Sequence, residues 1–453
     1  MVITSSIAWL LIFFIAIIVL CYKVVELRIA TIILGIGLLI CTIFGNAAGV
    51  ILVIFWVFFV LLLALNIPEI RRNYISTQVL KFYKSVLPKI SQTEQEAIDA
   101  GSVWWDGEIF SGNPDWDILR KNPKPKFSKE EQAFLDGPVN EICEMTNEWK
   151  ASHIDHDLPQ EVWDFVKAKG FFGMIIPKKY GGLEFSPLAV ATVMSKVISR
   201  SGHLNSIIGV PNSLGPAELL LHYGTPEQRN DLLPKLASGE EIPCFALTGP
   251  HAGSDAAAMP DTGIICKGKF EGKEIIGMKL NFSKRYITLA PVATLVGLAF
   301  KLYDPNHLLG EKEDYGITCA LIPSTTKDLE IGRRHLPPGI PFMNGTIIGK
   351  DIFVPLDYII GGTEQAGKGW RMLVECLSAG RAISLPSGAM GGAKTGAWVT
   401  GAYTRAREQF NVPIAEFEGI TEPLGRIAGN TYIITASLNT TAMAIGAGEK
   451  PAV

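Results

Sequence analysis

Hydrophobic and polar positions divide the chain into two unlike stretches. Residues 1–22 carry no charge, Lys23, Glu26 and Arg28 interrupt, and residues 29–68 are uncharged again. The second run is broken only by the small polar stretch Gly45-Asn46-Ala47-Ala48-Gly49. A helix crossing a bilayer needs about 20 apolar residues. The pattern therefore predicts one span near 4–22 and a helical hairpin near 28–44 and 50–67. A cleavable signal peptide is the competing reading, but it lacks a basic N-terminal flank and two further apolar runs follow it. With three spans, Lys23 and Arg28 fall on the same side as Arg71-Arg72, which the positive-inside rule makes cytoplasmic. The expectation is an inner (cytoplasmic) membrane protein whose main body faces the cytoplasm.

Past the membrane-spanning part, 1–72, residues 73–127 read as a juxtamembrane connector with Trp104, Trp105, Trp116 and a Lys/Pro run at 121–126. Residues 128–243 are patterned as helices. Ser128 and Glu131 form a capping box, Thr225 and Gln228 repeat it, and Pro159 and Gly170 bracket a helix between them. Over 244–365 the texture becomes short β-rich runs, at 292–302, 317–322 and 346–354, between Gly, Pro, Asn and Asp turns. Helix returns in 366–453, with runs from Trp370, at 404–410 and from Leu424 onward. Helices, then strands, then helices predict an α+β fold with segregated layers.

Composition removes several function classes. Forty-one basic against 44 acidic residues give a net charge of −3, so nucleic acid is not an expected partner. The seven cysteines are scattered, with no CxxC pair, which points to a reducing compartment rather than a disulfide framework. Without an HExxH or a clustered Cys/His set, no metal site is expected.

The most specific stretch is Cys244-Phe-Ala-Leu-Thr-Gly-Pro-His-Ala-Gly-Ser-Asp255, at the join of the helical and β-rich parts. Gly253 permits close backbone approach to a ligand, and Thr248 and Ser254 offer hydroxyls. The alternative is a polar turn leaving a buried strand. A second candidate, at 388–395, nearly matches the phosphate-binding pattern G-x-x-x-x-G-K-[ST], but Ala393 replaces the second Gly and no strand precedes it. Small residues permitting close helix packing are the favoured explanation. Arg381 and Arg407 are the remaining candidates, since a planar, permanently charged guanidinium suits phosphate.

Taken in order, these pieces resemble the acyl-CoA dehydrogenase family. The residues that carry the resemblance are Gly170-Phe-Phe-Gly173 with Tyr180-Gly-Gly182, then Leu221-His-Tyr-Gly-Thr225, then Ala246-Leu-Thr248 with Ala252-Gly-Ser-Asp255. Asp351-Ile-Phe-Val-Pro355, Gly380-Arg381 and Arg407-x-x-Phe410 continue it, so the resemblance covers about 128–453. The N-terminal spans are similar to those of membrane-associated members of the family. The resemblance implies a helical domain, a β-barrel-like middle domain and an incomplete C-terminal helical bundle. FAD is the implied cofactor. Phe245, Leu247, Thr248 and Ser254 would line it, and Asn281-Phe282-Ser283 would take the place of the usual Trp-x-Thr that covers the isoalloxazine. Arg407 and Phe410 would reach the FAD of a neighbouring subunit, implying a homo-oligomer. Ser254, Ser378 and Arg381 would bind the acyl-CoA. Asn411 and Glu418 depart from the family's usual Gly and Gln.

The implied reaction is the first step of fatty-acid β-oxidation, fatty acyl-CoA to trans-2-enoyl-CoA, with electron-transfer flavoprotein or another acceptor taking the electrons. A desolvated Glu would be the base. None of this chain's residues matches it, because Glu418-Gly419 comes too early and the alternative position is Gly380; the expectation is that this Glu lies beyond Val453. A non-catalytic member that binds flavin or acyl-CoA without turnover is the alternative. A nucleotide hydrolase built on Lys394 is a distant third.

Overall fold

The computed structural model describes residues 2–121, 126–213, 215–337, 340 and 342–450, and it separates into two compact units, Met1–Ile90 and Ser91–Val453. Most of the Lys/Pro run, residues 122–125, lies outside the described residues.

In the first unit, α1 (Val2–Tyr22) and α2 (Leu27–Phe44) are long and apolar enough to cross a membrane. The expected third span differs. Helix α3 (Gly49–Leu65) has 17 residues and passes the same test only together with Pro68–Val86, from which it is bent by 92°. Two causes sit at the corner. Pro68 has no N–H with which to continue the helical ladder. The Asn66 side chain donates to Thr31 Oγ1 on α2 at 2.9 Å and to Leu62 O at 2.9 Å, which ties the end of α3 to its neighbour. Beyond the corner, and still in this unit, runs α4 (Thr77–Val86).

The second unit follows the expected sequence of layers. After short helices at Gln92–Asp99, Asp106–Ile109 and Trp116–Arg120, its helical layer runs through α5 (Lys129–Asp136), α6 (Pro138–Met145), α7 (Gln160–Ala168), α8 (Pro187–Arg200), α9 (Gly202–Gly209), α10 (Pro216–Tyr223) and α11 (Pro226–Ser238). Both capping boxes form: Ser128 and Thr225 each accept from the N3 backbone N–H while Glu131 and Gln228 reach back. Gly170 and Gly239 follow their helices at φ 76° and 75°, the left-handed region that favours glycine.

Seven strands then form one open sheet: β1 (Pro243–Ala246), β2 (Thr262–Phe270), β3 (Lys273–Thr288), β4 (Leu295–Tyr303), β5 (Asp314–Pro323), β6 (Leu329–Arg334) and β7 (Asn344–Pro355). β5 lies antiparallel along one edge of β4; β1 and β2 share the other edge, both parallel, and β3, β7 and β6 continue the sheet. The expected β-rich runs became β4, β5 and β7. The β2–β3 hairpin was not anticipated, because alternating lysines and glycines disguise it. It turns on Glu271-Gly272, both at positive φ, the backbone shape whose twist matches paired strands.

The last helices are α12 (Gly369–Ala379), α13 (Leu385–Ala406) and α14 (Glu418–Gly446), with α8 packed against both α13 and α14. The helix expected at 404–410 stops at Ala406. A small hairpin follows, β8 (Glu408–Gln409) and β9 (Val412–Pro413), with Phe410 and Asn411 at its tip, both at positive φ. Asn tolerates this conformation better than most non-glycine residues, so Asn411 can do there what Gly does elsewhere in the family.

His203, on α9, is fully buried, and neither ring nitrogen has a hydrogen-bond partner among the described residues. Asp157 lies 3.9 Å away, too far for a hydrogen bond. Burial pushes the imidazole down to about 4, against the pull of Asp157. The unfolded chain takes up this proton below about pH 6.5, while the folded chain takes it up only near pH 4. The contribution is therefore complete above pH ~6.5 and is lost progressively down to pH ~4, about 3 kcal/mol in all. Urea unfolding of the Ser91–Val453 unit is expected to show this slope. His203→Leu should flatten it, and an unchanged slope in that variant would place the titration elsewhere.

Candidate functional site

The chain leaves β1 at Ala246 and turns at once. Gly249 N–H donates to Ala252 O at 3.1 Å and closes the turn. Two bonds from β3 hold it from the side. Arg285 N–H donates to Thr248 O at 3.0 Å, and Lys284 Nζ donates to Leu247 O at 2.9 Å. A Cβ on Gly249 would stand 3.1 Å from Ser283 O, so glycine is what lets the turn lie this close to β3.

Lys284 is the unexpected member. Its side chain is fully buried, 2.5 Å from Asp261 Oδ2, and Asp261 is buried as well. Asp261 Oδ1 also accepts from Ser283 N–H at 2.9 Å. Burial pulls the lysine below its ordinary range while the carboxylate opposes that shift. In a low-dielectric interior such a pair is sustained by partners for its remaining donors and acceptors, and here the carbonyl of Leu247 takes a second lysine donor. No sequence motif marked Lys284. The only signal was a lysine in phase with the buried Met278, Leu280 and Phe282 of β3.

What the turn leaves open is chemically definite. Thr248 is half-buried, and its N–H and hydroxyl have no partner among the described residues. The Nε of Arg285 is buried without a partner. A Cβ on Gly253 would meet nothing within 4 Å, and Ser254 beside it is exposed. Spare donors beside an open stretch fit the acceptor-rich pyrimidine edge of an isoalloxazine.

Among the expected site residues, Leu247, Thr248 and Ser283 are brought together. Phe245 instead faces the core, where its ring occupies the space beside Gly297 on β4. Asn281 is taken up within the sheet: its Oδ1 accepts from Asp351 N–H at 3.0 Å across a bulge between β3 and β7. Further along β3 stands an aromatic-x-Thr triplet, Tyr286-Ile287-Thr288. It follows the residue that bonds Thr248, and the strand bulges between Lys284 and Ile287, with Tyr286 at φ 57°. Bulges commonly re-aim a side chain at a site. The Tyr286 ring is exposed, with the Arg285 guanidinium 5.1 Å from its centroid. The triplet is legible in the sequence, but without the bulge its register is not.

Ser378 lies on α12, where its hydroxyl donates to Glu375 O at 2.6 Å, and it lines a cavity of about 250 Å³ together with Glu218, His222 and Glu375. Burial tends to raise the Glu375 pKa, but hydrogen bonds from Tyr223 and Arg371 outweigh it and hold the carboxylate below its usual range. Arg381 is exposed on the wide turn Gly380–Ser384. A Cβ at Gly380 would come within 3.3 Å of the Ser213 side chain. Arg407 and Phe410 are exposed where α13 ends. Residues 388–395 lie inside α13, with no strand-to-helix loop, and a Cβ at Gly391 would run into Ser195 O and Ile198 of α8. These small residues serve helix packing, which removes the phosphate-loop reading.

Breaking the buried pair has a calculable consequence. Lys284→Met leaves Asp261 buried and uncompensated and should cost ~3–5 kcal/mol. Lys284→Met combined with Asp261→Leu should recover much of that loss. Urea midpoints read both. If the double variant is no more stable than the single, the charge pair is not the interaction that matters.

Known proteins place the fold. The model of the acyl-CoA dehydrogenase N-terminal domain matches residues 128–240, and that of the C-terminal domain matches residues 367–453. The chain is 62% identical over 104 residues to Protein HemX of Proteus mirabilis, which is 23% of this chain and 61% of that protein. It is 30% identical over 327 residues to the 3-(aryl)acrylate reductase of Clostridium sporogenes, 72% of this chain and 82% of that protein. It is 28% identical over 333 residues to "Probable acyl-CoA dehydrogenase FadE10" of Mycobacterium tuberculosis, 73% of this chain but only 48% of the relative. Among solved structures, butyryl-CoA dehydrogenase of Megasphaera elsdenii superposes with a TM-score of 0.63 at 21% identity, covering 72% of this chain and 82% of that one. A chain solved under the electron transferring flavoprotein of Acidaminococcus fermentans gives a TM-score of 0.62 at 22% identity, over 72% and 81%. These two likenesses concern the fold.

Proposed function

We propose, for a chain that belongs to the acyl-CoA dehydrogenase family, FAD-dependent α,β-dehydrogenation of a fatty acyl-CoA to the trans-2-enoyl thioester. The observation that carries this reading is the Leu247-Thr248 turn, with spare donors on its open side and a buried ion pair fixing it from behind. FAD is the family's cofactor, and bound here it would supply the acceptor for the hydride leaving the β-carbon.

The chain's own residues divide the remaining work. The N–H and hydroxyl of Thr248 hold the pyrimidine edge, and a fixed donor of this kind costs no reorganisation during reaction. Ser254, on the open stretch, lies between cofactor and thioester. The Tyr286-Ile287-Thr288 triplet, rather than Asn281 alone, supplies the aromatic and hydroxyl cover. Ser378 and Arg381 take the CoA part. Arg407 and Phe410 reach a second subunit, in keeping with exposed Trp398, Tyr403 and Tyr432 on α13 and α14. Electron-transfer flavoprotein or another acceptor removes the electrons. The apolar N-terminal helices hold the protein at the inner membrane, where long-chain substrates partition, with the body on the cytoplasmic face.

Proton abstraction next to a thioester calls for a carboxylate raised by burial. The carboxyls with resolved shifts among the described residues, Glu94, Glu131, Glu227 and Glu375, are all lowered. A member that binds flavin and acyl-CoA without turnover is the second reading.

Purified chain is expected to retain FAD, and Thr248→Val should raise its dissociation constant about 3- to 10-fold by removing one hydrogen bond. Anaerobic palmitoyl-CoA then separates the readings. Bleaching of the flavin supports dehydrogenation, and retained but unbleached flavin supports binding alone. Failure to retain any flavin overturns both. Oxidation of pre-reduced flavin by an aryl acrylate, without bleaching by palmitoyl-CoA, would move the substrate class to that of the reductase relative.

A further inference from the structure

Helix α4 separates its polar and apolar residues completely. At 100° per residue, Val79, Leu80, Phe82, Tyr83 and Val86 fall on one face. Thr77, Gln78, Lys81, Lys84 and Ser85 fall on the other. Nothing in its own unit covers the apolar face: Leu80 is 53% exposed and Phe82 65%. A helix this short, with such a face in water, gains too little from its own hydrogen bonds to be stable alone. Its residues need a partner that is apolar on one side and polar on the other.

Three observations identify that partner. The first is continuity. The segment Pro68–Val86 begins at the end of the apolar helix α3 and departs from it at 92°. If α3 stands across a bilayer, a segment leaving its end at a right angle runs along the surface, at headgroup depth. The bend is built rather than incidental, since Pro68 and the Asn66–Thr31 bond both fix it. The second is charge. Residues 68–90 hold Arg71, Arg72, Lys81, Lys84 and Lys89 against Glu69 alone, five basic less one acidic, a net +4. The whole chain is at −3, so this positive charge is local to the segment. The third is aromatic content. Tyr74, Phe82 and Tyr83 are exposed here, and amphipathic rings favour the membrane–water interface.

We propose that α4 is an in-plane membrane-surface helix. Its apolar face sinks into the acyl boundary, while Lys81, Lys84 and the flanking basic residues bind anionic lipid headgroups. Helices of this composition bind by buried apolar area plus attraction to anionic lipid. This contact is additional to the spanning helices and rests on the reading that they insert. It makes attachment of the segment beyond α3 sensitive to lipid charge, which the spans are not.

The test uses the full chain, reconstituted in phosphatidylcholine vesicles with and without phosphatidylglycerol. Carbonate washing reports whether the spans hold, and amide hydrogen exchange over residues 77–87 reports α4. Expected is roughly tenfold or greater protection of these amides in the anionic vesicles, reduced by high salt. Leu80→Asp with Phe82→Asp should abolish the protection while the chain still resists carbonate. Lys81→Gln with Lys84→Gln should remove only the dependence on phosphatidylglycerol. Equal, fast exchange in both vesicle types overturns the proposal. So does protection that persists in lipid-free detergent, because protein packing would then be the cover. If the chain washes out of the vesicles but 77–87 remains protected on anionic lipid, the spanning reading fails and α4 stands. If it washes out unprotected, both fail.

Discussion

An ammonium and a carboxylate buried together, with a backbone carbonyl as their third partner, decide where the chain goes after β1. Asp261 immediately precedes β2 and Lys284 lies on β3, the strand beside it, and neither tolerates burial alone. Once paired, the lysine has a further donor to satisfy, and the carbonyl of Leu247 meets it. The carbonyl of Leu247 and the N–H of Thr248 belong to one planar peptide unit. Fixing the first therefore fixes the second. The open donors of the turn thus owe their placement to a charge pair behind them.

The same sheet explains where the Tyr286-Ile287-Thr288 triplet stands on β3. Asn281 is committed to Asp351 across a bulge, and a second bulge shifts the strand before Ile287. Each bulge changes which face a side chain takes. Two irregularities in one long strand thus move the aromatic-x-Thr pattern away from the position that simple counting gives it.

Helix packing sets the other boundary. Glycines at 388 and 391 let α13 lie against α8, and a side chain at Gly391 would meet the backbone of that helix. Tight helix packing here reflects steric limits rather than a binding function. In the first unit, Asn66 and Pro68 break the run of apolar helix and send a basic, amphipathic segment off at a right angle.

The sequence by itself settled the layers, the caps and the family landmarks. These rest on local effects: hydrophobic periodicity, side-chain oxygens that satisfy helix-end N–H groups, and glycines needed at positive φ. It also showed the apolar N-terminal helices, although not that the chain bends by 92° where α3 ends. The hairpin that ends α13 was legible only in hindsight, through Asn411. Only the tertiary structure decided the rest. A buried pair between residues 23 positions apart, a register shifted by bulges and a glycine beside a distant carbonyl are all long-range events. Their cost and reward appear only when strands from different parts of the chain meet, so no local pattern could announce them.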